Sequence, residues 1–189
     1  DVSKAEVFFP ETGAVAESIA AARDALYVTT LDGGARRIHR VDYKTGRATL
    51  LTPPAPGSML VADYSLDRDG GLMVVDGWTQ ERAAYEYTPA AGFKKLQLAP
   101  PLGIRMDDIA VVETFAKSHD GVMVPMVVLH RKGLKLDGTA PVVMNGYGAY
   151  GRENTSPFFY PALLPWLRRG GVFVWTGVRG GGEYGEAWH

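Results

Sequence analysis

The chain has 189 residues, with 20 Lys plus Arg against 21 Asp plus Glu, a formal net charge of -1 and no cysteine. That length accommodates one sizeable domain or two small ones, and the balanced charge excludes the basic footprint of a nucleic-acid or anionic-membrane binder. Without cysteine there is no disulfide, thiolate metal site or cysteine nucleophile.

No run approaches the roughly 18 apolar residues that a membrane span requires, and the opening DVSKAEVFFP has neither the basic nor the apolar region of a signal peptide. A soluble chain with no membrane partner is expected, and the composition leaves cytoplasm and periplasm open. The chain lacks an initiator Met and opens on polar residues, so it reads as a piece of something longer.

Residues 1 to about 100 show short strands broken at close intervals by Gly, Asp and Pro turns, an all-β pattern. Two stretches resemble each other: ALYVTTLDGGARRIHRVDYKTGRATLL from Ala25 and LMVVDGWTQERAAYEYTPAAGFKKLQL from Leu72, whose starts lie 47 residues apart. In each, a β-rich run, a polar turn, a second strand, a glycine turn and a third short strand follow one another, setting Gly46 against Gly92. A period of this size with three or four strands per unit suits the blades of a propeller, and two blades cannot bury their faces alone. Further blades are expected upstream; two unrelated meanders in a sandwich are the plainer alternative.

A boundary falls near LAPPLGIRMDD, where Pro100 and Pro101 stop the last strand. IAVVETFAKS and VMVPMVVLHRK then read as an antiparallel pair turning at His119, Asp120 and Gly121. The apolar run APVVMN reads as a strand buried on both faces. SPFFYPALLPWLRRGG reads as a helix that starts at Pro157 or Pro161 and closes at Gly170 or Gly171, with Pro165 as a possible kink. VFVWTGV is a second buried strand, so strand, crossover and strand predict a parallel α/β unit.

Between these strands, Gly146, Gly148 and Gly151 spell G-x-G-x-x-G. A dinucleotide site needs the last glycine to open the helix and an acidic residue about 20 positions on. Here Arg152 to Pro157 intervene before the earliest helix start, and no carboxylate comes before Glu183 at the end of the next strand. Phosphate binding is therefore not expected, and no cofactor is. The loop instead carries Tyr147 and Tyr150 at the carboxyl end of a strand, where open α/β sheets place ligands. A phenol there can donate one directed hydrogen bond, the equipment of an oxyanion hole, although a tyrosine capping a strand is more often simply packed.

VVMNGYGAYG, its spacing to RRGGVFVWTGVRGGGEYGEAWH, and the preceding SHDGVMVPMVVLHRKGLKLDGTAP resemble the prolyl oligopeptidase family of serine peptidases over about residues 110 to 189. The resemblance implies the last blades of a β-propeller over residues 1–103, followed over residues 104–189 by the opening strands and first helix of an α/β-hydrolase catalytic domain. It implies that Tyr147 is the oxyanion-hole tyrosine and that Tyr150 occupies an aromatic position, usually Phe, lining the pocket for a proline in the substrate. The extra hydroxyl departs from the family pattern and puts strict proline preference in question. The implied substrate is a short peptide cleaved after proline.

No G-x-S-x-G occurs in the chain, so the nucleophile, and with it the acid and the histidine of the triad, is expected downstream, and these 189 residues alone are expected to be inactive. The remainder of the same enzyme is the implied partner. An esterase on the same fold and a non-catalytic propeller binding protein are the alternatives. His39, His119, His130 and His189 take structural readings, no pair of side chains has metal-ligand spacing, and Arg179 and Glu183 are expected to form a local ion pair.

Overall fold

The computed structural model describes residues 2–4 and 6–189, and no helix among them is long and apolar enough to cross a membrane. The chain divides into two compact units. The first comprises residues 1–32, 36–75 and 83–98; the second comprises residues 99–189 together with 33–35 and 76–82.

The first unit is built from two four-stranded antiparallel meanders. One contains β1 (Val15–Ala21), β2 (Ala25–Asp32), β3 (Ala35–Asp42) and β4 (Ala48–Leu50); the other contains β5 (Ser58–Tyr64), β6 (Gly71–Asp76), β7 (Ala83–Thr88) and β8 (Gly92–Leu96). The repeat seen in the sequence corresponds to β2–β4 and β6–β8, and each copy is preceded by one further strand, β1 or β5. Gly46 and Gly92 occupy corresponding turns with φ of 65° and 71°, a conformation that a side chain disfavours. Tyr27, Ile38, Met59, Met73, Val75 and Tyr85 form a common core with contributions from both sheets. Asp24 links the sheets: it accepts from Tyr27 Oη and Arg40 Nε, both at 2.9 Å, and from the Gly70 N–H at 2.7 Å. Burial, and then this hydrogen bond, push the Tyr27 phenol well above its ordinary pKa.

The second unit holds one mixed sheet in the order β11-β12-β10-β9, from β9 (Ile109–Lys117), β10 (Met123–Arg131), β11 (Val142–Gly146) and β12 (Val172–Thr176). β9 and β10 form the expected antiparallel hairpin, β10 also pairs antiparallel with β12, and β11 and β12 run parallel. Met106, Ile109, Val127, Leu129, Leu164, Leu167 and Phe173 form its core with Trp78.

Two expectations are corrected here. β11 is not buried on both faces: all five of its residues are exposed, because it is the edge strand and β12 is its only neighbour among the described residues. An apolar run reports that a strand is apolar, not that the chain supplies what covers it. The crossover helix is also shorter than its apolar pattern suggested. Pro161–Leu163 form a single 3-10 turn, and α1 covers only Leu164–Arg168. Pro165 therefore sits in the first turn of α1, where its missing N–H has no partner to lose, and there is no kink. α1 closes at Gly170, whose φ is 90°, and Gly171 leaves room for Trp166: a β-carbon there would lie 2.3 Å from the indole. α1 is the one α-helix among the described residues, so their regular structure is mostly β.

Candidate active site

β11 and β12 are parallel and in register, Asn145 opposite Trp175 and Gly146 opposite Thr176, so the loops that follow them leave the same end of the sheet. Thr176 Oγ1 donates to the Asn145 carbonyl at 2.9 Å and closes the strand pair at that end. A β-carbon on Gly146 would come within 2.4 Å of the same hydroxyl oxygen.

Beyond this point the glycines of the two loops interlock. The Gly151 N–H donates to the Gly180 carbonyl at 3.1 Å, and the Gly180 N–H donates to the Trp188 carbonyl at 2.8 Å. A β-carbon on Gly148 would stand 2.7 Å from the Arg179 carbonyl oxygen, and one on Gly182 would stand 2.2 Å from that of Gly151. The glycines of the G-x-G-x-x-G thus serve close backbone packing against residues 177–182. Helical structure after the loop begins only at Pro161, so the last glycine does not open a helix as a dinucleotide site requires.

The same packing presents the two tyrosines. Tyr147 is 54% exposed and Tyr150 81%, with their ring centroids 6.4 Å apart and their planes at 31°. Tyr150 has φ of 57°, the one non-glycine among the described residues in the left-handed region, a conformation that costs a side chain about 1–3 kcal/mol and clusters at functional sites. The Tyr147 hydroxyl has no hydrogen-bond partner among the described residues.

Glu183 has no exposed surface. Its Oε1 accepts the Asn154 backbone N–H at 2.7 Å, and its Oε2 has no partner among the described residues. The expected ion pair with Arg179 does not form. Arg179 turns instead to the β9–β10 turn, where it pairs with Asp120 and donates to Ser118 Oγ at 3.3 Å. Its guanidinium holds the Asp120 carboxyl below the usual carboxylate range. Charge pairing on sequence proximity missed this because the loop reverses between Arg179 and Glu183, carrying one side chain outward and the other inward. The run of three glycines before Glu183 was the available signal, since a carboxylate beside three missing side chains has room to fold in.

His39 lies on β3, edge-on to Phe9 at 5.1 Å, with burial lowering its imidazole pKa. His130 is buried on β10 with Nδ1 2.9 Å from the Arg131 carbonyl oxygen. His119 Nδ1 lies 3.4 Å from Ser118 Oγ in an exposed turn whose Asp120 is engaged by Arg179, so the consecutive Ser, His and Asp form no relay. No cluster of potential metal ligands occurs among the described residues.

The chain is similar to known peptidases both in sequence and in arrangement. No family model matches the chain. It is 30% identical over 169 residues to Protease 2 of Moraxella lacunata, covering 88% of this chain and 24% of that one. It is also 40% identical over 88 residues to the dual function macrocyclase-peptidase POPB of Amanita bisporigera, covering 46% of this chain and 12% of that one. A solved prolyl endopeptidase structure superposes on 95% of the chain with a TM-score of 0.82 at 31% identity. Its relatives are peptidases of the prolyl oligopeptidase family. Prolyl oligopeptidase B of Galerina marginata, solved with a 35-residue hydrolysis and macrocyclization substrate, matches 97% of the chain with a TM-score of 0.85 at 26% identity. These two structures are matched over 26% of their own length, so the chain spans about a quarter or less of the relatives it resembles.

Proposed function

We propose that the whole protein is a serine-type peptidase acting by acyl transfer on short peptides, after proline, and that this chain supplies its oxyanion-hole tyrosine and part of its substrate pocket. The observation that carries the reading is the presentation of Tyr147: an exposed phenol with no hydrogen-bond partner among the described residues, at the carboxyl end of a parallel strand pair, on a loop whose backbone packs closely against its neighbour. A donor of this kind stabilises the negative charge that develops on the carbonyl oxygen as the tetrahedral intermediate forms. Likeness to the prolyl oligopeptidases supports the assignment of the attacking group to a serine. None of the serines here lies in G-x-S-x-G, so the nucleophile and its acid and base partners belong to sequence outside these residues.

In this reading the two meanders are propeller blades and the mixed sheet opens an α/β-hydrolase domain. Support comes from the 47-residue repeat and from the parallel β11–β12 pair joined by a crossover. Tyr150 lines the pocket beside Tyr147, and its hydroxyl relaxes the preference for proline that an apolar ring would enforce.

The test is a fluorophosphonate probe followed by intact-mass measurement. The full-length enzyme is expected to gain one probe mass, and the 189-residue chain none. A full-length protein that hydrolyses peptides without taking the probe would sink the serine mechanism, and specific labelling of the short chain would place the nucleophile within it.

A further inference from the structure

Glu183 carries a carboxylate into the interior of the second unit. It is wholly buried, it accepts one hydrogen bond, and no cation stands beside it among the described residues. Burial without a charge partner disfavours a carboxylate strongly, so an apolar residue of similar volume would be the cheaper occupant on stability alone.

Its surroundings are shaped to hold it. A β-carbon on Gly177 would lie 2.7 Å from the carboxylate carbon, and one on Gly181 would lie 2.4 Å from Oε2. Two glycines thus leave space for this side chain, which reaches across to the Asn154 N–H on the opposite loop.

That hydrogen bond is the far anchor of the tyrosine loop. Residues 146–154 are tied at one end by the Gly146–Thr176 strand register, in the middle by the Gly151 N–H to Gly180, and at the other end by Asn154 to Glu183. Tyr147 and Tyr150 lie between the first and last of these ties. A tyrosine that must meet a developing oxyanion within hydrogen-bond reach needs its backbone fixed, and a displacement of about 1 Å costs roughly a hundredfold in rate.

We propose that Glu183 is the positioning residue of this site: by accepting the Asn154 N–H from inside the fold, it sets where the loop presents Tyr147. This rests on the oxyanion reading of Tyr147. What the site uses is a buried acceptor for the Asn154 N–H, which Glu183 Oε1 supplies. A glutamine has nearly the same shape and keeps a carbonyl acceptor for Asn154.

Three variants of the full-length enzyme test this: Glu183→Gln, Glu183→Leu, and Gly181→Ala, which keeps the carboxylate but crowds it out of place. Each is followed by amide hydrogen exchange across residues 148–154 and by kcat and KM for peptide hydrolysis. Glu183→Leu and Gly181→Ala are expected to speed exchange in that segment and to lower kcat roughly tenfold to a hundredfold with KM changed far less. Glu183→Gln is expected to keep the wild-type exchange pattern and kcat within about threefold. If Glu183→Leu yields no folded protein, Gly181→Ala decides alone. Unchanged exchange in Gly181→Ala, or a glutamine variant as impaired as the leucine one, would overturn the proposal. Tyr147→Phe separates the two ideas: if it leaves kcat untouched, the oxyanion reading fails, while the exchange data still report whether Glu183 orders the loop.

Discussion

Gly180 approaches Gly148 so closely that a β-carbon on Gly180 would stand 2.1 Å from the Gly148 carbonyl oxygen, and its own φ is 90°. The neighbouring atom is backbone and cannot swing aside. Gly180→Ala therefore carries both a strained conformation and a clash, and is expected to destabilise by more than the roughly 1–3 kcal/mol of the conformation alone. Gly92 has φ of 71° with nothing within 4 Å of the same point, so Gly92→Ala carries the conformational cost only. Urea unfolding of the two variants should rank Gly180→Ala clearly below Gly92→Ala. Equal midpoints would mean that the interlocked loops give way easily and do not fix the tyrosines.

The two tyrosines should separate chemistry from recognition. In the full-length enzyme, Tyr147→Phe is expected to lower kcat by about 10²- to 10³-fold, the effect of losing one oxyanion donor, with little change in KM. Its exposed side chain predicts a stability change within about 0.5 kcal/mol. Tyr150→Phe is expected to leave kcat nearly intact and to sharpen the preference for proline over other residues at the cleavage position, measured as a ratio of kcat/KM values. A Tyr147→Phe enzyme with wild-type kcat would remove the phenol from the mechanism.

What was legible in the sequence followed from local chemistry. Gly46 and Gly92 marked equivalent turns because both need a positive φ, and the spacing of Val142–Gly146 to Val172–Thr176 foretold a parallel pair. Tyr147 stood out because it follows a strand end. Less visible were features fixed by distant parts of the chain. The exposure of β11 depends on which strands flank it, and its five residues carry no sign of that. The helix from Pro161 was overestimated because an apolar run does not reveal a 3-10 start. Glu183 was assigned to Arg179 by proximity, whereas Arg179 is claimed by Asp120, 59 residues away in sequence.

Two exposed ion pairs predict the acid limb of stability. Arg168 grips Asp108 through hydrogen bonds of 2.9 and 3.0 Å, and Arg179 pairs with Asp120; in each case the hydrogen bond from arginine lowers the carboxyl pKa. A group whose folded pKa is depressed adds stability that is fully present above its unfolded value, about 3.9 for aspartate, and disappears as pH falls through the folded value. Arg168→Met and Arg179→Met should therefore lower the melting temperature slightly at neutral pH and flatten its decline below about pH 4. Since both pairs are open to solvent, salt near 1 M should shrink the difference from wild type. An acid limb identical to wild type in both variants would assign it to other carboxylates.

β11 offers a further consequence. Val142, Val143 and Met144 are 55%, 43% and 63% exposed on an edge strand, so apolar side chains and unpaired backbone groups are presented together. Such an edge is a template for pairing with another strand. The 189-residue chain alone is expected to self-associate in a concentration-dependent way. Met144→Lys should suppress this by placing a charge where a second strand would dock, at a cost to the chain's own stability within about 0.5 kcal/mol because the side chain is already solvated. Light scattering across a concentration series separates the outcomes. If Met144→Lys and Val142→Lys aggregate like the parent chain, association runs through another surface; if both stay monomeric, the exposed strand is the sticky element, and covering it is what the rest of the protein must do.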